Sequence, residues 1–150
     1  MLLNVENLRV SYGNIKALHG VSFNIDAGEI VTIIGANGAG KSTTLRAVSR
    51  MVPVESGTSM TCLGKDLLEF PPDKVVSQLG ITHVPEGRRL FGNLTVMENL
   101  QLATFARKDR ENVKQDIRRI FEIFPRLEER KSQASGLSLI HISEPTRPTT

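Results

Sequence analysis

Gly35-Ala36-Asn37-Gly38-Ala39-Gly40-Lys41-Ser42 has the spacing Gly-x-x-x-x-Gly-Lys-Ser. Those residue types, in that order, suit the chemistry of holding a polyphosphate. The glycines let the backbone turn tightly and bring its N–H groups close to an anion. A helix starting directly afterwards adds N–H donors and the positive end of its dipole. The Lys41 ammonium is placed to neutralise β- and γ-phosphates, and the Ser42 hydroxyl to take one position on Mg²⁺. Together with Thr43, these residues form a candidate nucleoside triphosphate site.

Such a loop needs a strand before it and a helix after it. Glu29-Ile30-Val31-Thr32-Ile33-Ile34 predicts a short buried strand rich in β-branched residues. Thr43 to Val48 predicts the start of a helix, with its apolar positions at helical spacing. Further upstream, Leu2–Val10 alternates loosely between apolar and polar residues, Ser11-Tyr12-Gly13-Asn14 reads as a turn, and Ala17–Ile25 as a second strand. Together they suggest a small antiparallel layer beside a parallel core. Gly57–Leu63 predicts another strand, and Pro71-Pro72-Asp73 opens a short helix that stops at Gly80. Ile81-Thr82-His83-Val84 then reads as a strand. Thr95-Val96-Met97-Glu98 has the form of a capping box opening a helix to about Arg107. Glu111–Phe124 sets Val113, Ile117, Ile120, Phe121 and Phe124 on one helical face, and Pro125 ends it. Two helices in succession suggest a helical insert rather than βαβ units.

The 150 residues have the length of one ordinary domain, and 39% hydrophobic with 23% charged residues fits a globular protein. The net charge of +3 is spread along the chain, which indicates a solvated surface and no nucleic-acid footprint. With aromatic residues at 5%, stacking platforms for single strands are not expected. The one cysteine, Cys62, cannot form an internal disulfide and reads as a small packed residue. His83 has no neighbours at metal-ligand spacing and reads as a strand residue. Neither a secretory signal nor an apolar run of membrane-crossing length is present, so a cytoplasmic chain that meets the membrane only through a partner is expected.

Tyr12-Gly13, Gly20-Val21-Ser22-Phe23 and Gly28-Glu29-Ile30, ahead of the phosphate loop, resemble the ATP-binding-cassette (ABC) ATPases. Gly80 to Phe91, followed by Leu94-Thr95-Val96-Met97-Glu98-Asn99-Leu100 and by Phe124-Pro125-Arg126-Leu127, is similar to the ATP-binding subunits of bacterial branched-chain amino-acid importers. The resemblance covers Met1 to about Gly136. It implies an α/β fold of the P-loop NTPase (RecA-like) type with an N-terminal antiparallel β layer and the start of a helical subdomain. It also implies ATP and Mg²⁺ as ligands, a second ATP-binding subunit and permease subunits as partners, and a place at the inner face of the plasma membrane. Tyr12 resembles the aromatic that stacks on adenine, though a turn tyrosine half buried under a loop would look the same. Glu86 stands where most ABC ATPases have the glutamine that contacts Mg²⁺ and the attacking water; a solvated loop charge is the alternative. Arg88, Arg89 and the helix from Thr95 lie where the family docks its permease, unless they are an ordinary polar rim.

Family members continue into a Leu-Ser-Gly-Gly signature, which caps the γ-phosphate of the nucleotide on the opposite subunit. Here the chain passes from Gly136 through Leu137-Ser138 into Leu139-Ile140-His141-Ile142-Ser143-Glu144-Pro145-Thr146-Arg147. Those residues resemble the in-frame translation of a transposase-end adapter used in short-read DNA libraries. Residues 1–136 are thus expected to be the N-terminal part of an ABC ATP-binding domain, truncated before the signature and the Walker B strand, and 137–150 an artefactual tail. The missing Asp-Glu strand would lie beside Ile30–Ile34, so that strand is expected to lose a neighbour and leave the chain prone to association. No catalytic set is complete within the chain. A soluble ABC ATPase acting as an ATP-dependent switch is the alternative function. P-loop kinases and GTPases lack the preceding strand pair and the block from Glu86 to Asn99.

Overall fold

The structure, a computed structural model, describes residues 1–87, 89–105, 107 and 109–138. It divides into two units, Met1–Val84 and a second beginning at Pro85.

In the first unit, β1 (Leu3–Tyr12) and β2 (Ile15–Ile25) form an antiparallel hairpin around a turn at Gly13 and Asn14. β3 (Ser59–Cys62) pairs antiparallel with the other edge of β1, and β4 (Lys65–Asp66) pairs in turn with β3, giving the order β2-β1-β3-β4. Helix α1 (Lys41–Val48) lies against β1 and β2, and α2 (Pro72–Leu79) contributes Val75 and Leu79 to the same core. α2 starts on proline and stops at Gly80, which is left-handed at φ 70°, as its sequence predicts.

The inward residues of β1 are Leu3, Val5, Leu8 and Val10, a spacing that breaks the period of two. A bulge resolves the mismatch. Val5 pairs with Phe23 but Leu8 with Val21, and the extra residue is absorbed at Asn7, which is left-handed at φ 51°. The Asn7 carboxamide donates to Gly57 O at 3.0 Å and accepts from Arg9 Nε at 3.0 Å, while its backbone N–H donates to Ser22 Oγ at 2.8 Å. All four apolar side chains therefore reach the core with Leu18, Met60, Cys62 and Leu67. Full burial of each such aliphatic side chain contributes about 1.5–3 kcal/mol.

Two sequence expectations fail in this unit. Glu29–Ile34 forms no strand, and Ile30 and Ile34 are 97% and 91% exposed. A β-branched run becomes a strand only when a neighbour accepts its backbone bonds and covers its faces, and no described residue does so. Ile81–Val84, His83 included, likewise forms no strand, for the same reason.

The second unit is helical: α3 (Val96–Ala103), α4 (Arg110–Ile123), α5 (Pro125–Glu129) and α6 (Ser135–Ser138). The capping box forms as read. Thr95 Oγ1 accepts from Glu98 N at 3.1 Å, and the Glu98 carboxylate accepts from Thr95 N at 2.7 Å. α3 ends at Ala103, short of the expected Arg107. Arg107 instead leaves the helix, its guanidinium held by Asp109 at 2.6 Å and by Asp116 of α4 at 2.5 Å. Val113, Ile117 and Ile120 are half-buried and Phe121 is buried, whereas Phe124 is exposed. Pro125 ends α4 and also begins α5, where its missing N–H costs nothing. The artefactual tail expected at 137–150 falls, from residue 139 on, outside the described residues.

Candidate nucleotide-binding loop

Gly35 to Gly40 leads straight into α1. Ala39 N donates to Ala36 O at 3.1 Å, closing a turn, and Gly38 and Gly40 are left-handed at φ 86° and φ 87°. Gly40 also needs its bareness for space. A Cβ there would lie 2.5 Å from Leu18 Cδ2 and 3.0 Å from the Ala17 carbonyl oxygen of β2. The hairpin therefore backs the base of the loop, and only glycine permits so close an approach. At Gly35 a Cβ would come within 3.2 Å of Ala39 Cβ, whereas at Gly38 it would meet nothing.

The Lys41 side chain folds back over the loop. Its ammonium donates to Gly35 O at 2.7 Å and to Ala36 O at 2.8 Å. Both bonds hold the ammonium over the loop, where its positive charge suits an anion. Lys41, Ser42 and Thr43 form the half-buried first turn of α1, with no acidic residue in that turn and no side-chain cap on its N-terminus. Thr44 is buried and bonds back to Gly40. The positive end of the helix dipole thus meets no nearby carboxylate of its own, which favours an anion. Gly35, Ala36, Asn37, Gly38 and Ala39 are exposed and uncharged. The backbone cradle, the ammonium and the dipole together fit a phosphate chain.

The other candidate residues are distributed unevenly. Tyr12 ends β1 in the same unit, 44% exposed at the tip of the hairpin whose second strand supports Gly40. Glu86 belongs to the second unit, exposed and followed by Gly87 at φ 81°. Arg89 is exposed, and the expectation for Arg88 lies outside the described residues. Ser42 and Glu86 are oxygen donors of the kind Mg²⁺ accepts. Among the described residues no cluster of three His, Cys, Asp or Glu side chains could hold a metal. Sequence reasoning missed the support that Ala17 and Leu18 give Gly40. The left-handed requirement of the loop's last glycine was the available signal, but its neighbour could not be read from spacing.

The antiparallel layer, the glycine-rich turn and the helix behind it are those of the P-loop NTPase fold class. The sequence profile of the family described as ABC transporter matches residues 18–141, and the chain belongs to that family. It is 42% identical over 135 residues to the high-affinity branched-chain amino acid transport ATP-binding protein BraG of Pseudomonas aeruginosa, covering 90% of this chain and 57% of BraG. To the probable branched-chain amino acid transport ATP-binding protein LivF of Archaeoglobus fulgidus it is 33% identical, covering 84% of this chain and 52% of LivF. A solved structure of an ATP binding subunit of an ABC transporter superposes with a TM-score of 0.75 at 32% identity, over 88% of this chain and 53% of that one. The chain thus spans little more than half the length of these relatives.

Proposed function

We propose that the protein from which this sequence comes is the ATP-hydrolysing subunit of an ABC importer for branched-chain amino acids. The observation that carries the reading is the phosphate cradle of Gly35–Lys41, set in a chain 42% identical to BraG. The loop amides and Lys41 would hold the β- and γ-phosphates, with Tyr12 against the adenine. Mg²⁺, taken by the Ser42 hydroxyl, would screen the phosphate charge during attack by water. Glu86 is the residue proposed to orient that water. Two such subunits would enclose two nucleotides, each loop facing the partner's signature, and drive a permease at the cytoplasmic face of the membrane. Among the described residues, no helix is long and apolar enough to cross a bilayer. Residues 137–150 are proposed to be foreign to the gene; genomic sequence running on into Gly-Gly after Ser138 would establish this, and native codons for His141 to Thr150 would refute it.

Calorimetry on the product of the uninterrupted gene tests the reading. One Mg-ATP bound per loop is the expected result, and no binding overturns it. Neighbouring genes for a permease and an amino-acid-binding protein would support the transport assignment, and coiled-coil insertions in the remaining chain would favour the soluble switch.

A further inference from the structure

Asn99 stands one turn into α3, and its carboxamide reaches two separate stretches of chain, 91–95 and the start of α6. Its Nδ2, which carries two hydrogens, is shared among Ser135 Oγ at 2.9 Å, Thr95 O at 3.0 Å, Phe91 O at 3.1 Å and Leu94 O at 3.5 Å, and its Oδ1 accepts from Phe91 N at 3.1 Å. Ser135 is 1% exposed, and its N–H donates to Leu94 O at 2.8 Å. Next to it, Gly136 N donates to Gly92 O at 3.2 Å, and a Cβ on Gly136 would lie 3.3 Å from Gly92 Cα. Val96 N and Met97 N donate to Gln133 O and Lys131 O, both at 3.0 Å. The stretch from Lys131 to Gly136 is therefore sewn along the stretch from Phe91 to Met97, and Asn99 is the side chain that bonds to both.

We infer that Asn99 is a positioning residue that fixes the start of α6 on the 91–94 loop, and so aims the chain beyond Gly136. Under the proposed function, on which this inference rests, the native chain beyond Gly136 is the segment that caps the partner subunit's nucleotide. The role demands a short side chain with both a donor and an acceptor. Leucine would fill the volume and make none of the bonds, and aspartate would keep the shape but set a carboxylate against three carbonyl oxygens.

Two substitutions test this in the product of the uninterrupted gene. Asn99→Asp removes the donor from every partner, and Ser135→Ala cuts only the link to α6 while leaving the bonds to Phe91 and Thr95. Each should lower kcat for ATP by about tenfold, the scale of one buried hydrogen bond. Mg-ATP affinity should stay within about twofold, because none of the bonds removed involves a residue of the phosphate loop. Amide exchange at Ser135 and Gly136 should quicken in both, which a change confined to the α3 cap would not cause. Unchanged kcat in Ser135→Ala, or loss of ATP affinity in step with kcat, overturns the inference. A wild-type protein that fails to bind Mg-ATP instead overturns the functional reading, so the two failures are distinguishable.

Discussion

Substituting alanine at Gly40 and at Gly38 separates the two demands placed on the loop glycines. Both are left-handed, at φ 87° and φ 86°, so alanine at either carries the same backbone cost, about 1–2 kcal/mol. At Gly38 the new methyl meets nothing within 4 Å. At Gly40 it lands 2.5 Å from Leu18 Cδ2 and 3.0 Å from the Ala17 carbonyl oxygen, on a strand that cannot retreat without breaking its ladder with β1. Carbon atoms prefer about 3.5–4.0 Å, and overpacking of this kind costs about 1–3 kcal/mol. Gly38→Ala should therefore cost about 1–2 kcal/mol and Gly40→Ala about 2–5 kcal/mol, against a total stability of about 5–15 kcal/mol. Urea titrations followed by far-ultraviolet circular dichroism would read the difference as a midpoint lower by roughly 1 M for Gly40→Ala. Pairing Gly40→Ala with Leu18→Ala should give a favourable coupling energy, since the second change removes one of the two clashing groups. Equal midpoints for the two glycine variants would refute the claim that β2 backs the loop.

Lys41→Ala should abolish ATP turnover of the uninterrupted gene's product, a loss of about 3–4 kcal/mol or more in transition-state stabilisation, and near-normal turnover would remove the phosphate site from consideration. Thr95→Ala should cost about 1 kcal/mol by uncapping α3, visible as faster exchange of its first-turn amides. The Thr95 backbone N–H, and then its hydroxyl, hold the Glu98 carboxyl below its ordinary value of 4.5, so its support of α3 is complete above pH 4.5 and is lost as pH falls through the lower folded value. Glu98→Gln should flatten that acid dependence in an NMR titration of the Thr95 amide. The exposed run at Ile30 and Ile34 should make the 150-residue chain self-associate, and Ile30→Thr with Ile34→Thr should reduce its light scattering; a wild-type chain that stays monomeric at high concentration would contradict this.

What could be read from the sequence was what depends on near neighbours. The Thr95–Glu98 capping box joins residues three apart, and the stop at Gly80 needs only its own left-handed turn. The phosphate loop announces itself because backbone, ammonium and helix start all lie within eight residues. The rest depends on groups far along the chain. Leu3, Val5, Leu8 and Val10 face one way only because Asn7 bulges against Ser22 and Gly57. Asn99 looks like a helix residue until Ser135, 36 positions later, arrives beside it. Glu29–Ile34 has strand composition, but a strand is a property of a pair, and composition names no partner.

Cys62, the one thiol of the chain, sits in β3 among the core residues of the first unit, 3% exposed and with burial pushing its pKa up. A maleimide or disulfide reagent can reach it only when that core opens. The second unit contains no thiol, so the labelling rate times the opening of the nucleotide-loop unit without any signal from the helices. Titrating Mg-ATP into such a labelling experiment would convert occupancy of the loop into a slower clock.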